Sequence, residues 1–385
     1  MKAIVNGTIV TPHGEEKGSL LFDEHIQAII PENAPLVHQV DDLIDASGLY
    51  VVPGLIDLHI HGYLGEDTSD GSEEGVRTMA KGLLANGVTS FLPTTMTVSW
   101  PEIEAALENV RKLKPESQTA AFVGSEILGV HAEGPFINPE RKGAQAADNI
   151  LEPDADKIIP HKDIIKILAM APEMPGGMDC IRKLAQEADI VIAIGHTSAT
   201  YEQAMEALAA GASHITHTFN AQTPLTHRAP GVVGAALLSD AVCELIADNF
   251  HIHPALFRLL YEMKGEKLVL ITDCTRAGGL KDGEYTLGGQ PIFVKGIECR
   301  LADGTIAGSV LKLNNAVKNY KDGTGIPLHE AINAATLHAA NAIGVADKKG
   351  SLETGKDADI VLMDNDFVVH KTIVRGTVKY TKGVS

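Results

Sequence analysis

Hydrophobic residues follow two different patterns along this chain. From about residue 51 to residue 272, short apolar runs alternate with segments whose apolar residues recur every three or four positions. Short apolar runs are typical of buried strands, and the longer period is typical of amphipathic helices. The pattern predicts strands at 52–59, 89–93, 127–132, 165–169, 190–194, 214–216, 243–247 and 268–272.

Helices are predicted between most of these strands, at 73–86, 101–113, 178–188, 200–210 and 254–264. Strands that alternate with helices in this way are typical of a (β/α)8 barrel of the TIM type. A doubly wound sheet is the alternative, but it would need a glycine-rich phosphate-binding turn after the first strand. This chain has His59-Ile60-His61 there instead. An irregular β insertion is predicted at 286–304, and a closing helix at 328–343.

Both ends of the chain are rich in short strand patterns. Strands predicted at 3–5 and 8–10 flank Asn6-Gly7, which is a strong signal for a β-hairpin. Further short strands are predicted between 358 and 381. Because chain ends commonly meet in space, we expect a small β-sandwich domain built from residues 1–52 and 345–385. The barrel would then occupy residues 53–344 as the catalytic domain.

Composition and charge indicate a globular protein and exclude some classes of partner. The chain has 385 residues, of which 44% are hydrophobic and 21% charged, as expected for a globular protein. Its formal net charge of −18 argues against nucleic acid and anionic membranes as partners. Four widely spaced cysteines without a CxxC pair indicate reduced thiols and a cytoplasmic protein. No apolar run is long enough to predict a transmembrane helix.

Side chains of metal-binding type follow the ends of several predicted strands. They are His59 and His61 after the first strand, Glu133 after the third, His196 after the fifth, His217 after the sixth and Asp273 after the eighth. Barrel active sites lie at the carboxyl ends of the strands, so these side chains are expected to converge. Imidazole and carboxylate together suit hard or borderline metals. A carboxylate beside an activated water can serve as general base and then general acid, and Asp273 is the candidate.

Several segments resemble known hydrolases. Residues 53–61, Pro-Gly-Leu-Ile-Asp-Leu-His-Ile-His, resemble the first-strand motif of the amidohydrolase superfamily. Residues 131–136, 195–197, 217–221, 270–273 and 350–361 resemble the N-acetylglucosamine-6-phosphate deacetylase family in particular. The resemblance implies hydrolysis of the N-acetyl group of N-acetylglucosamine 6-phosphate to glucosamine 6-phosphate and acetate. It implies a metal-bound hydroxide as the nucleophile and Asp273 as the general base and acid.

The same resemblance implies a metal cofactor. Glu133, His196 and His217 match residues that bind a divalent metal in the family. His59 and His61 match a pair found in two-metal members, in which the glutamate bridges the ions. We therefore expect one or two ions per subunit. Zinc is the expected metal, and iron, manganese and cobalt are alternatives because all accept nitrogen and oxygen ligands.

Substrate-binding residues are also implied by the resemblance. They are Ala144, Gln145, Asn220, Ala221, Arg228, His251, Ile306, Ala307 and Gly308. Arg228 matches a phosphate-binding arginine that can come from the neighbouring subunit of a homodimer. Gln145 stands where some members have a histidine near the acetyl carbonyl. The resemblance therefore does not identify the group that polarises that carbonyl.

Other departures from the family pattern leave the identity of the sugar substrate undecided. Gln222 stands where methionine is usual, and Asn249-Phe250 and Cys274-Thr275 also differ. N-acetylgalactosamine 6-phosphate is the nearest competing substrate. A cyclic-amide hydrolase or an isoaspartyl dipeptidase of the same superfamily is a second alternative, against which Glu133-Gly134-Pro135 and Arg228 speak. A non-catalytic scaffold on the same barrel is a third, but such proteins usually lose ligands that this chain keeps.

Overall fold

The computed structural model describes residues 1–34 and 40–384. Its centre is a parallel barrel whose strands are Leu55–Ile60, Val88–Thr95, Val130–Glu133 (preceded by the short Glu126–Ile127), Ile165–Met170, Val191–Ile194, His214–Ile215, Val242–Ile246 and Leu268–Ile271, here called barrel strands 1 to 8. Each pairs in parallel with the next. A parallel bridge between Ile60 and Cys274 joins strand 8 to strand 1. The (β/α)8 prediction is confirmed.

Helices surround the barrel. They are α1 Glu73–Leu83, α2 Trp100–Ser117, α3 Ala155–Ile158, α4 Gly177–Glu187, α5 Tyr201–Ala210, α6 Gly231–Leu238, α7 Ala255–Lys264, α8 Leu313–Thr324, α9 Leu328–Asn333 and α10 Leu337–Ala342. The five helices predicted between strands are all present. Among the residues described, no helix has the length and apolar character that a membrane crossing would require.

Three helices escaped the sequence analysis, and one predicted helix is divided. The sequence of α6, GVVGAALL, is almost entirely apolar and buried, so it shows no helical period. The sequence pattern predicts no element at α8 or at the four-residue helix α3. The closing helix predicted at 328–343 is interrupted before α10, because Thr336 has φ −135° and ψ −85°, outside the helical region.

Apolar side chains fill the lower part of the barrel. Ile56, Leu58, Ile167, Ile246 and Ile271 belong to one buried cluster, which also includes residues of α10. His338 of α10 donates a hydrogen bond from Nδ1 to the carbonyl of Leu268, at the start of strand 8, which places α10 at the amino end of the barrel. The opposite, carboxyl end is left for polar side chains.

The two chain ends form a separate nine-stranded sheet. Its order is Thr377–Thr381, Val369–Val374, Ile360–Met363, Tyr50–Pro53, Thr8–Thr11, Gly14–Phe22, Lys2–Val5 and Asp42–Asp45, with Ile26–Pro31 pairing on Gly14–Phe22. Buried side chains from both halves of this sheet, among them Ile4, Phe22 and Ile360, share one core, as in a β-sandwich.

The hairpin predicted at Asn6-Gly7 is wrong. Lys2–Val5 and Thr8–Thr11 each pair with the long strand Gly14–Phe22, which lies between them in the sheet. Asn6 adopts φ 64°, so the turn is real, but it passes the chain from one half of the sheet to the other. The nine-residue strand offers backbone partners to both short strands, and local turn chemistry cannot reveal that competition.

The insertion after strand 8 covers one side of the barrel mouth. It is a three-stranded antiparallel sheet of Gly283–Leu287, Gln290–Lys295 and Glu298–Leu301. The side-chain amide of Gln290 donates to the carbonyl of Ala144 at 2.7 Å, which ties the insertion to the loop after strand 3. A small ribbon, Gly62–Tyr63 with Glu66–Asp67, follows strand 1.

Candidate metal centre and substrate cavity

Glu133, His196 and His217 meet at the barrel mouth. Glu133 Oε1 lies 2.9 Å from His217 Nε2 and 3.1 Å from His196 Nε2. The two imidazole Nε2 atoms are 3.1 Å apart. All three residues are buried, and their ligand atoms lie close enough together to hold one ion. The convergence expected from the strand ends is therefore observed.

His59 and His61 approach the same glutamate and form a second group of ligand atoms with it. Their Nε2 atoms are 3.4 Å apart, as expected for two imidazoles that face one point. His59 Nε2 lies 3.4 Å from Glu133 Oε1, and His61 Nε2 lies 3.3 Å from Glu133 Oε2. Glu133 therefore belongs to two groups of possible ligands, so its carboxylate can contact two ions.

Asp273 faces this cluster from strand 8. Its Oδ1 lies 3.2 Å from His61 Nε2 and 3.7 Å from His59 Nε2. Asp273 also lines the open cavity described below, whereas His59 is fully buried. Asp273 is thus placed to contact both a ligand in the cavity and the metal-binding side chains.

Three of these residues have unusual backbone conformations. His196, His217 and Asp273 have φ values of 46°, 26° and 50°. Each stands two positions after the last residue of its barrel strand. The left-handed region is unfavourable for residues with a Cβ and is found at functional sites, at a cost of about 1–3 kcal/mol each. The backbone turns here place the side chains at the mouth.

Hydrogen bonds at Nδ1 orient two of the imidazoles. His196 Nδ1 donates to the carbonyl of Arg141 at 2.8 Å. His59 Nδ1 lies 3.1 Å from Glu244 Oε2, a carboxylate that accepts. With the proton on Nδ1, the Nε2 lone pair of each ring faces the cluster, as metal binding requires.

The charges of the cluster shift several pKa values. Burial works to raise the pKa of Glu133, but His196 and His59 outweigh it and hold that pKa well below its usual range. Burial likewise opposes ionisation of Asp273, yet His61 and His59 lower its pKa to about 2. Burial would lower the pKa of His217, but the hydrogen bond and charge of Glu133 raise it to about 9. The buried carboxylates of Glu133 and Asp273 are therefore ionised, and nearby cations stabilise them.

The donor set fits a divalent metal. It combines imidazole nitrogens and carboxylate oxygens with no thiolate among its members, which suits zinc and other borderline ions. Buried ionised carboxylates are stable only when they are paired or bound to a metal. We conclude that these side chains can hold a metal ion.

A cavity of about 380 Å³ opens beside the cluster. Among the predicted substrate residues, those that line it are Ala144, Gln145, Asn220, Ala221, His251, Ile306 and Gly308. His251 is held by Asp248, whose Oδ2 lies 2.6 Å from His251 Nδ1. The Gln145 amide bridges two groups, since Nε2 donates to Glu133 Oε2 at 2.5 Å and Oε1 accepts from the Thr97 amide at 2.7 Å.

Two predicted substrate residues lie outside this cavity. Ala307 is buried behind the lining, and its amide donates to the carbonyl of Cys299. Arg228 is exposed on the loop before α6 and does not line the cavity of its own chain. Of the segments that the resemblance marked, 144–145 and 220–221 line the cavity in full and 306–308 lines it in part.

The sequence analysis missed two charged residues at this site. Arg141 is the only arginine or lysine among the described residues that line the cavity. Its guanidinium Nε donates to Ser198 Oγ at 3.3 Å. Glu244 lies beneath the cluster on strand 7. Arg141 lies just before Ala144 and Gln145, which were predicted to bind substrate, so its position in the sequence could have pointed to it. Glu244 lies within the predicted strand 243–247, and nothing in that strand's sequence shows which polar residues it contacts.

The chain is similar in sequence to known hydrolases. The sequence profile of the amidohydrolase family matches residues 50–379. The chain belongs to the amidohydrolase family. It is 42% identical over 336 residues to N-acetylglucosamine-6-phosphate deacetylase of Bacillus subtilis, covering 86% of this chain and 84% of that protein. N-acetylgalactosamine-6-phosphate deacetylase of Escherichia coli O157:H7 is 37% identical over 329 residues, covering 84% of this chain and 86% of that protein.

Solved structures of amidohydrolases agree with the fold over its whole length. The crystal structure of N-acetylglucosamine-6-phosphate deacetylase from Pasteurella multocida has a TM-score of 0.90 at 33% identity and covers 98% of this chain and 99% of that chain. A mutant of the Mycobacterium smegmatis deacetylase, in complex with N-acetyl-D-glucosamine-6-phosphate, has a TM-score of 0.89 at 30% identity and covers 99% of both chains.

Proposed function

We propose that this amidohydrolase removes the acetyl group from N-acetylglucosamine 6-phosphate, which gives glucosamine 6-phosphate and acetate. The observation that carries the proposal is the position of Asp273. Its carboxylate lies within 4 Å of two imidazoles of the metal cluster and also lines a cavity large enough for a sugar phosphate. Relatives that share most of the chain are deacetylases of such sugars.

In the proposed reaction, Asp273 Oδ1 accepts a proton from the attacking water and then delivers it to the departing amine. The carboxylate is suited to the first step because it is ionised at neutral pH. A divalent metal, when bound, lowers the pKa of water toward neutrality and polarises a carbonyl. Glu133, His196 and His217 would hold it, and His59 and His61 would hold a second ion. We propose zinc, with one or two ions per subunit.

The phosphate requires a local cation, since the chain carries a net charge of −18. We propose that Arg141 supplies it within each subunit. Its terminal nitrogens carry N–H donors in the planar arrangement that suits a phosphate. The backbone at Asn220 and Ala221 and the ring of His251 complete the proposed sugar-phosphate contacts.

Arg228 is proposed to reach the cavity of a second copy in a homodimer. It is exposed on the same loop as Leu225, an apolar side chain that is 51% exposed. An exposed leucine beside an exposed arginine suits a subunit interface. We also propose a cytoplasmic location, because all four cysteines are free, buried thiols. The domain division at 1–52 with 345–385 and 53–344 stays a proposal.

N-acetylgalactosamine 6-phosphate is the second candidate substrate, since the Escherichia coli relative is named for it. Acetate release from both sugars, with and without the 6-phosphate, tests the proposal. We expect the highest kcat/KM for N-acetylglucosamine 6-phosphate. Activity on cyclic amides or isoaspartyl dipeptides with no acetate release would contradict it, and a protein that binds zinc without hydrolysing any of these compounds would favour the scaffold alternative.

Arg141→Gln separates phosphate binding from catalysis. The backbone carbonyl of Arg141, not its side chain, holds His196, so the substitution should leave the metal content unchanged. We expect KM for the 6-phosphate to rise by about tenfold or more, while the unphosphorylated sugar is little affected. Arg182→Gln, which removes an exposed guanidinium from α4, is the control. An equal effect on both sugars would contradict the role of Arg141.

A further inference from the structure

Glu244 is a buried acidic residue that the proposed reaction does not use. It lies on barrel strand 7 and is 0% exposed. It does not line the substrate cavity, which is formed above it by other residues. A buried carboxylate must be stabilised by hydrogen bonds or opposite charges. The groups that contact Glu244 therefore indicate its role.

One oxygen of Glu244 serves two residues of the metal cluster. Oε2 accepts from His59 Nδ1 at 3.1 Å and from the backbone amide of His217 at 3.1 Å. His59 lies in barrel strand 1 and His217 follows barrel strand 6. These two strands flank strands 7 and 8 in the barrel. A single atom of strand 7 therefore ties together two parts of the cluster that come from distant parts of the chain.

Each of the two contacts fixes something that metal binding needs. The bond to His59 keeps the proton on Nδ1 and leaves the Nε2 lone pair facing Glu133 and His61. The bond to the His217 amide holds a residue whose φ of 26° is unfavourable for a side chain with a Cβ. Without an acceptor at Oε2, both N–H groups would be buried and unpaired.

His131 does not compete for this role of Glu244. The His131 ring also lies near Glu244, but its Nδ1 is 3.9 Å from Glu244 Oε1. That nitrogen donates instead to the carbonyl of Leu58 at 2.9 Å. The close contacts of the Glu244 carboxylate are therefore with His59 and His217.

We propose that Glu244 is a positioning residue for the metal centre, which holds His59 in its metal-binding tautomer and His217 in its turn. The inference rests on the metal centre of the proposed function. It does not depend on which sugar is the substrate, because Glu244 acts on the ligands and does not itself line the cavity.

Zinc titration of the metal-free full-length protein tests this inference. Glu244→Met removes the acceptor at similar volume, and we expect zinc affinity to fall about 10–100-fold. Glu244→Gln keeps a carbonyl oxygen that can accept both bonds, so it should restore most of that affinity. If Glu244→Met does not fold, Glu244→Asp replaces it, since it withdraws the carboxylate from both donors and should weaken zinc about tenfold.

Glu126→Gln is the matched control. Glu126 is also a buried glutamate, but it lies at the start of strand 3 and binds Lys349. This variant should lose stability and keep its zinc affinity. Wild-type zinc affinity in Glu244→Met or Glu244→Asp would overturn the inference, as would an equal loss in Glu126→Gln. Because no sugar is present, failure of the deacetylase proposal would show separately, as zinc-loaded wild-type protein that releases no acetate.

Discussion

At the scale of single residues, the site is organised by side chains that follow strand ends in a strained conformation. His196, His217 and Asp273 occupy the same position relative to their strands, and each has a positive φ. The sequence predicted that these side chains converge, because the rule for barrel strand ends needs only the strand positions. It could not predict the left-handed turns, since only a few per cent of residues other than glycine adopt them and residue type alone does not say where. Their hydrogen bonds at the mouth hold the strained backbone in place.

Metal binding should release protons, because His217 is protonated at neutral pH in the metal-free protein. Its pKa of about 9 exceeds the unfolded value of 6.5, so protonated His217 stabilises the metal-free fold fully below pH 6.5. That contribution is lost as the pH rises through about 9. Zinc needs the same lone pair and displaces the proton.

We therefore expect apparent zinc affinity to rise by up to about tenfold per pH unit between pH 7 and 9. Calorimetric titration in buffers with different ionisation enthalpies measures the proton release directly. Zinc affinity that is independent of pH in this range, with no proton released, would contradict the assigned protonation of His217.

At the scale of elements, the loop after the β insertion fits closely around Asp273. Gly308 has φ 57°, and a Cβ built on it would lie 2.7 Å from Thr275 Cγ2 and 3.0 Å from the Asp273 carbonyl oxygen. The Ser309 amide donates to that carbonyl at 2.8 Å. An irregular β insertion was predicted here, but its contact with the segment after strand 8 was not, because the contact joins segments that only the fold brings together.

Gly308→Ala should therefore displace Asp273 and lower kcat by about 10–100-fold, because small displacements of a reacting group are costly. Gly304→Ala is the matched control. Gly304 also has a positive φ, of 90°, but its added Cβ would meet nothing within 4 Å. Steady-state acetate release compares the two variants. Equal losses in both would show that backbone strain alone, and not pressure on Asp273, explains the effect.

A second junction between elements joins the terminal sheet to the barrel. The Lys349 ammonium is buried and lies 2.8 Å from Glu126 at the start of barrel strand 3, 2.8 Å from Asp359 and 3.0 Å from Asp357. Burial works against the charge, but these carboxylates raise the pKa of Lys349 above its ordinary value. This cluster was not predicted, because Glu126 lies 223 positions before Lys349 and only the fold brings the two together.

Lys349→Met should destabilise the protein by about 3–5 kcal/mol, because it leaves the buried carboxylates of Glu126 and Asp359 without their cation, while Asp357 keeps Arg375 at 3.5 Å. Lys356→Met is the control, since Lys356 pairs with the half-exposed Glu353. Urea unfolding at neutral pH measures both variants. A loss for Lys349→Met no larger than that for Lys356→Met would mean that the buried cluster contributes little to stability.

At the scale of the whole molecule, the periodic pattern was enough to predict the barrel and the joining of the two chain ends. It failed where tertiary contacts decide the outcome. The apolar helix α6 shows no helical period of hydrophobic residues. Both strands of the predicted hairpin pair with the strand Gly14–Phe22 and not with each other. The metal cluster was predictable because its residues share one structural position. Arg141 and Glu244 were not, because their roles depend on neighbours from other strands.

Asp273 is the proposed proton carrier of a metal-dependent deacetylase. The decisive measurement is acetate release from N-acetylglucosamine 6-phosphate by wild-type protein and Asp273→Asn, with the zinc content of both determined. We expect wild-type turnover that is abolished by a chelator and restored by zinc. Asp273→Asn should retain its zinc and lose at least about 100-fold in kcat, the range for a general acid and base. Near-normal kcat in zinc-loaded Asp273→Asn would contradict the account.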